Sequence, residues 1–132
     1  MANYFQKVKD YLLELDLDII QEDPEDEVLV IRDEDSGISN LVIGCAEPIL
    51  IMEQFILEIG TETTEIFKKL LQRNREIVHG AFVLDETGKK IIFRDTLEIE
   101  NLDFNELEGS INSLSLLLSE FSEELLEIAH KK

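Results

Sequence analysis

Thirty Asp and Glu residues in a chain of 132 make cation binding the first chemistry to test. Asp33-Glu34-Asp35-Ser36-Gly37 opens like a calcium loop, in which alternating carboxylates and a glycine at position six wrap a hard cation. Here the glycine falls fifth, and position twelve is Gly44 where a bidentate glutamate is required. An EF-hand is therefore excluded, and the segment reads as a solvated hairpin tip. His79 and His130 are the only histidines, and no cysteine lies near either in sequence. They fall on different expected elements, and His130 suits the last turn of a helix, where a cation complements the dipole. No serine sits in a nucleophile elbow, and the six scattered glycines form no phosphate loop. Cys45 lies in an apolar run and reads as a small buried hydrophobe. Acidic pairs occur throughout by chance, so spacing singles out no pair for acid–base work. No constellation proposes a reaction: the sequence reads as a non-enzyme, with no metal and no cofactor.

One cluster departs from the average charge. Lys68, Lys69, Arg73 and Arg75 place four of the twelve basic residues within eight positions. On a helix they form a polar face whose cations complement the C-terminal dipole. They would also serve as a docking point for an acidic partner, or as the anion contacts of a small-molecule or regulatory ligand module.

Length and composition bound the rest. One domain over residues 1–132 is expected, long enough to bury about two-thirds of its extended-chain surface. Hydrophobic residues at 44% and charged residues at 32% are a globular composition. The net charge of −18 repels phosphate backbones and anionic headgroups, so neither nucleic acid nor a membrane surface is an expected partner. The single Cys45 cannot form an internal disulfide. The start MANYFQKVKDYLL has no apolar run like that of a signal peptide, and no stretch reaches about 18 apolar residues. A soluble cytoplasmic protein is expected.

The periodicities give the elements. Asn3 can cap a helix whose stripe is Tyr4, Val8, Tyr11 and Leu15, widened by Phe5 and Leu12. A short apolar piece around Leu17 to Ile20 precedes an acidic turn, Glu22 to Asp26. Strands are expected over Val28–Ile31 and Leu41–Ala46, with Asp33–Gly37 as a hairpin loop. Ile49 to Ile59, bracketed by Pro48 and Gly60, favours strand, with helix as the alternative. A second helix starts near Thr61 to Thr64 and ends near Arg75. Two strands follow, His79–Leu84 and Lys90–Ile99, around the turn Asp85-Glu86-Thr87-Gly88. In the second of them Ile91, Phe93, Leu97 and Ile99 share a face. The last helix, about Phe104 to His130, opens with Asp103 and Glu106 as a capping box and Leu102 and Leu107 as a staple. It carries a heptad stripe from Leu107 through Ile111, Leu114, Leu118, Phe121 and Leu125 to Ile128. The class is α+β with a twisted, mostly antiparallel sheet of five or six strands and three helices, in the order α-β-β-β-α-β-β-α.

Several strands are apolar on both faces: Val28 and Val30 alternate with Leu29 and Ile31, and Ile49 and Ile51 with Leu50 and Met52. A sheet of five or six strands is roughly 24 to 29 Å wide, and each helix shields a strip about 10 Å across. Three helices cannot cover both faces. The uncovered apolar surface, including Val28, Val30, Ile49 and Ile51, should meet a second copy or a client peptide. Leu118, Phe121 and Leu125 of the heptad stripe could serve the same purpose, although core packing is their ordinary use.

Leu70-Leu71-Gln72-Arg73-Asn74-Arg75-Glu76, running into His79-Gly80-Ala81-Phe82-Val83-Leu84-Asp85, resembles the YbjN-like family, whose second helix ends in Leu-Leu, a spacer and Asn before a Gly-x-Phe strand. Ile92-Phe93-Arg94-Asp95-Thr96-Leu97, Leu102-Asp103 and the long terminal helix continue the likeness over residues 64 to 130. The family is similar in fold to the small acidic, Tir chaperone-like proteins of type III secretion. The resemblance implies three helices around a twisted antiparallel sheet, a homodimer, and a chaperone-like or adaptor role in which an extended polypeptide client is held in apolar grooves. It implies no chemical activity.

Overall fold

The computed structural model describes residues 3–60 and 64–130, the side chains of 128–130 excepted. The expected helix start at Thr61, the end of the heptad stripe at Ile128 and the His130 side chain lie outside the described residues. Three helices and six strands follow one another as α1 (Tyr4–Glu14), β1 (Asp18–Asp23), β2 (Val28–Asp33), β3 (Ile38–Ala46), β4 (Ile49–Glu58), α2 (Thr64–Asn74), β5 (Ala81–Leu84), β6 (Lys90–Glu98) and α3 (Phe104–His130). The strands form one sheet in the order β1-β2-β3-β4-β6-β5, and every pairing is antiparallel. The α+β class and strand throughout Ile49–Glu58 agree with the sequence reading, while the order has one strand more before α2 than expected, because the short apolar piece around Leu17 to Ile20 belongs to β1, which pairs with β2.

Local rules place the helices. The Asn3 side chain accepts from the Gln6 amide at 3.0 Å, and Phe5, Val8 and Leu12 are the buried positions of α1, with Tyr4, Tyr11 and Leu15 half-buried beside them. At α3 the Glu106 amide donates to Asp103 Oδ1 at 2.7 Å, and the staple residues Leu102 and Leu107 are buried. These caps satisfy amides that the first helical turn leaves without intrahelical partners.

One face of the sheet meets all three helices. Leu29 and Ile31 of β2, Leu41 and Ile43 of β3, Leu50 and Met52 of β4, Phe82 of β5 and Ile91 and Phe93 of β6 are buried there. They share one continuous core with residues of α1, α2 and α3. Gln54 and Asp95 are also buried, and the Gln54 side chain accepts from the Ser39 amide at 3.1 Å. The alternate residues, Val28, Val30, Ile49 and Ile51, point the other way and are half-buried, while Val42 and Phe55 on the same face are 41% and 54% exposed.

Three boundaries differ from expectation. Glu22 and Asp23 are strand, paired with Leu29 and Val28, where an acidic turn was read. The turn starts two residues later, at Pro24, because Asp23 Oδ1 accepts from the amides of Glu25 and Asp26, a side-chain mimic of a turn that Asp supplies readily. β3 begins at Ile38, ahead of Leu41, because the β2 ladder extends to the Asp33–Ile38 pair and the Gln54 side chain takes the Ser39 amide. His79 and Gly80 precede β5 and are not part of it. Gly80 has φ +84° and lies against the Phe93 ring. A Cβ there would come within 2.7 Å of Phe93 Cε1 and 3.0 Å of the Arg94 carbonyl oxygen, and closer still to Phe93 Cζ.

Gly80→Ala is expected to cost about 2–4 kcal/mol, combining left-handed backbone strain with overpacking. Gly88→Ala, at φ +75° with nothing within 4 Å of the added Cβ, should cost about 1–2 kcal/mol from strain alone. Urea unfolding of the two variants against the parent checks the difference.

Candidate functional site

The surface that the helices leave open has two parts. The first is the open sheet face. Antiparallel register builds it in rows: Val28, Gly44, Ile51 and Thr96 in one, and Val30, Val42, Glu53, Arg94 and Ala81 in the next. A third row holds Phe55, Ile92 and Val83. Glu53 and Arg94 are direct cross-strand partners, with Arg94 Nε 3.7 Å from Glu53 Oε1 and both side chains more than 40% exposed. Across β3 to β5 the rest of these rows is uncharged, while on β1 and β2 the same face carries Asp23 beside Val28 and Asp18 beside Arg32.

The second part is a cleft of about 260 Å³ between α2 and the edge strand β5. Phe67, Leu70 and Leu71 line it from the helix, with Phe82, Val83 and Leu84 from β5 and Ile91 behind them. Leu71 is 69% and Leu84 44% exposed. Asn74 closes one end. Its amide nitrogen donates to the Phe82 carbonyl at 3.2 Å and its oxygen accepts from the Phe82 amide at 2.7 Å. The side chain thus takes the place of a neighbouring strand at one residue of β5, and joins helix to edge.

The residues expected to form a partner surface divide. Val28, Val30, Ile49 and Ile51 lie on the open face. Phe121 and Leu125 are each 8% exposed and belong to the core, and Leu118 is half-buried against it. These three are therefore corrected: α3 turns its heptad stripe inward because the sheet and α2 need that cover. Sequence reasoning missed Val42, Phe55, Leu71 and Leu84 as exposed apolar positions, since alternation tells two faces apart without saying which is buried.

The basic cluster also divides. Arg73 is tied to α3: its Nε donates to Glu124 Oε2 at 2.7 Å, its Nη2 donates to Glu124 Oε1, and its guanidinium lies 5.3 Å from the Phe121 ring centroid. The two-pronged geometry is the one Arg makes with carboxylates. It holds the Glu124 carboxyl below its usual range, through the Arg73 hydrogen bonds first and the charges of Arg73 and Lys69 after them, against partial desolvation. Arg73 and Lys69 thus act on Glu124 within the fold, which corrects the reading of four free docking cations. Lys68 and Arg75 remain exposed.

Little else has the makings of a reactive group. Cys45 is half-buried. Burial first, then the charges of Glu27 and Glu47, push its thiol up to about 11. The His79 carbonyl accepts from the Ser113 hydroxyl at 3.0 Å, and the His79 ring lies over Gly109. Among the described residues no group of three or more His, Cys, Asp or Glu side chains could hold a metal ion, and no helix is long and apolar enough to cross a membrane.

Glu124 is ionised more readily folded than unfolded, so its contribution to stability is present above its unfolded value of about 4.3 and is lost as pH falls through the lower folded value. Glu124→Gln should therefore flatten the acid limb of the stability-against-pH curve below about pH 4.3, measured by thermal unfolding. At pH 8, iodoacetamide should alkylate Cys45 roughly two hundredfold more slowly than a free cysteine, from the thiolate fractions at about 11 and about 8.5; mass spectrometry of a time course reads the rate.

YbjN of E. coli superposes on this fold with a TM-score of 0.71 at 12% identity, over 91% of this chain and 92% of that one. A protein of Methanothermobacter thermautotrophicus gives 0.69 at 13% identity, over 96% and 99%. The Yersinia pestis type III secretion chaperone SycH, in complex with a stable fragment of YscM2, gives 0.57 at 15% identity, over 96% and 99%. At such identities the likeness is one of fold. No curated protein matches in sequence. The CesT_Tir_1 family model matches residues 1–131. With three helices on one face of a six-stranded antiparallel sheet, this chain belongs to the CesT_Tir_1 family, a family of type III chaperones.

Proposed function

We propose that this chain is a non-enzymatic, chaperone-like protein of the cytoplasm, a single domain that works as a homodimer and binds another polypeptide. One observation carries the reading: the helices cover one side of a sheet whose strands are apolar on both, and a second apolar surface opens between α2 and β5. Contiguous exposed apolar surface of this kind marks an interaction site. Its lining favours a chain of amino acids over a metabolite. The cleft is walled by Phe67, Leu71, Phe82 and Leu84, which receive apolar side chains and offer an anion nothing. The rest of the molecule supplies −18 of charge, which keeps a protein with open apolar surface dispersed. Family membership supports the reading, as does SycH, which was solved with a YscM2 fragment bound.

A phage-displayed library of random peptides tests it. Enriched peptides should carry spaced apolar residues. Fluorescence anisotropy should show their affinity falling at least about tenfold, some 1.4 kcal/mol, when Leu71→Asp is combined with Leu84→Asp. Both positions are exposed, so circular dichroism should be unchanged. A library that enriches nothing, or peptides indifferent to both cleft substitutions and to Val42→Asp on the sheet, would overturn the polypeptide-binding reading.

A further inference from the structure

We infer that the occupant of the α2–β5 cleft is an acidic amphipathic helix of another polypeptide, with carboxylates on Lys68 and Arg75 and apolar side chains between them in the cleft. This rests on the polypeptide-binding reading above and specifies what that site selects.

Charge is spread unevenly along the chain. Residues 64–90, which build α2, β5 and the turn into β6, hold six of the twelve basic residues and four of the thirty acidic ones, leaving six basic and twenty-six acidic for the rest. Two of those cations stand at the rim of the cleft. Lys68 lies three positions before Leu71 and Arg75 four after it, spacings that share one helix face. The Arg75 amide donates to the Gln72 carbonyl at 3.3 Å, which carries the helical turn past Asn74. Both side chains are exposed, and among the described residues neither makes an ion pair. The nearby acids are engaged elsewhere or face another way. Glu76 lies 3.5 Å from Arg73 Nη1, and Glu124 holds Arg73 from α3. Asp85 accepts from the Thr87 hydroxyl at 2.8 Å and the Lys90 amide at 3.2 Å, inside its own turn. Glu65 is six positions from Leu71, about a third of a turn round the helix from it. Glu86 stands in the β5–β6 turn, followed by Lys89 and Lys90. Physiological salt screens the acidic remainder of the chain beyond about 8 Å.

The backbone of the site favours a helix over a strand. Asn74 already occupies the Phe82 amide and carbonyl, so an extended segment cannot pair with β5 there and would leave its own backbone groups unsatisfied. At about 260 Å³ the cleft is smaller than the roughly 300–1,000 Å³ that encloses a drug-sized molecule. It therefore takes side chains from a backbone that runs above it. A helix satisfies its own amides and lays an apolar stripe into such a groove. Lys68 and Arg75 are seven positions apart, about 10 Å along a helix axis. A client helix matches that span with carboxylates at i and i+7. Its residues i+3 and i+4 lie between them on the same face and enter the cleft between Leu71 and Leu84.

Three synthetic peptides test this at physiological ionic strength. The first is a fluorescein-labelled Ala-Gln peptide of about 20 residues, long enough to be helical, with Glu at i and i+7 and Leu at i+3 and i+4. The second has the same composition with both Glu moved to the opposite face, at i+2 and i+9. The third has Lys in place of the two Glu. By fluorescence anisotropy the parent should bind the first about fivefold tighter than either of the others, the scale of two exposed ion pairs. Lys68→Glu combined with Arg75→Glu should reverse the order and favour the Lys peptide over the Glu peptide by about as much. Both positions are exposed, so circular dichroism should be unchanged. Equal affinity of the parent for all three peptides, binding of none, or a preference that survives the reversal would overturn the inference. The library peptides keep the two readings apart. Those that lose affinity on Leu71→Asp with Leu84→Asp should carry Asp or Glu seven positions apart around apolar residues. Cleft-sensitive peptides without such acids, or with acids three apart, the extended equivalent of about 10 Å, would remove the acidic helix and leave the cleft reading standing. Peptides indifferent to the cleft substitutions would remove the cleft and its occupant together.

Discussion

The structure turns on an imbalance of cover. Six strands make a sheet roughly 29 Å across, and its central strands carry apolar side chains on both faces. Three helices protect one face only. Burial of Leu29, Ile31, Ile43, Leu50, Phe93 and their partners beneath α1, α2 and α3 supplies the main driving force for folding. The same alternation forces Val30, Val42, Ile51 and Phe55 outward. The open face follows from building a fully apolar sheet with too few helices. A sequence designed only for a stable monomer would put Thr, Lys and Glu there, as β6 does at Arg94, Thr96 and Glu98.

Elements were legible in the sequence where a local rule was strong. Asn3 and Asp103 announce helix starts, the staple fixes the entry to α3, and the period of two in β6 survives intact. The limits of β1 and β3 were not legible. Glu22, Asp23, Ser39 and Asn40 have no strand preference of their own, and the ladders around them hold them extended. The fate of the heptad stripe was equally hidden. A stripe of Leu and Phe suits a partner helix or a core, and only the position of α3 over the sheet decides. Arg73 was visible as a charge, but its engagement with Glu124, 51 residues away, depends on a crossing of α2 and α3 that no sequence window contains.

Charge has two separate tasks here. Over most of the surface, acidity keeps molecules apart. At a few points it is local and paired: Arg73 joins two helices, Lys9 reaches Glu22 from α1 to β1 at 3.0 Å, and Glu53 stands opposite Arg94. Exposed pairs add little to stability, and their value is in position. The first two fix helices to their neighbours, and the third marks the spot on the open face where opposite signs lie together.

Asn74 has a consequence for how the protein behaves when crowded. A sheet with free margins can grow by recruiting further strands, and a chain apolar enough to need an interface is especially exposed to runaway polymerisation. Here both margins are guarded by different means. β1 bears Asp18, Glu22 and Asp23, whose like charges discourage an identical strand from docking alongside. β5 is short, and its Phe82 valences are already occupied by a side-chain amide that can accept no successor. Growth is thereby barred in the plane of the sheet, and association is left to directions that close on themselves.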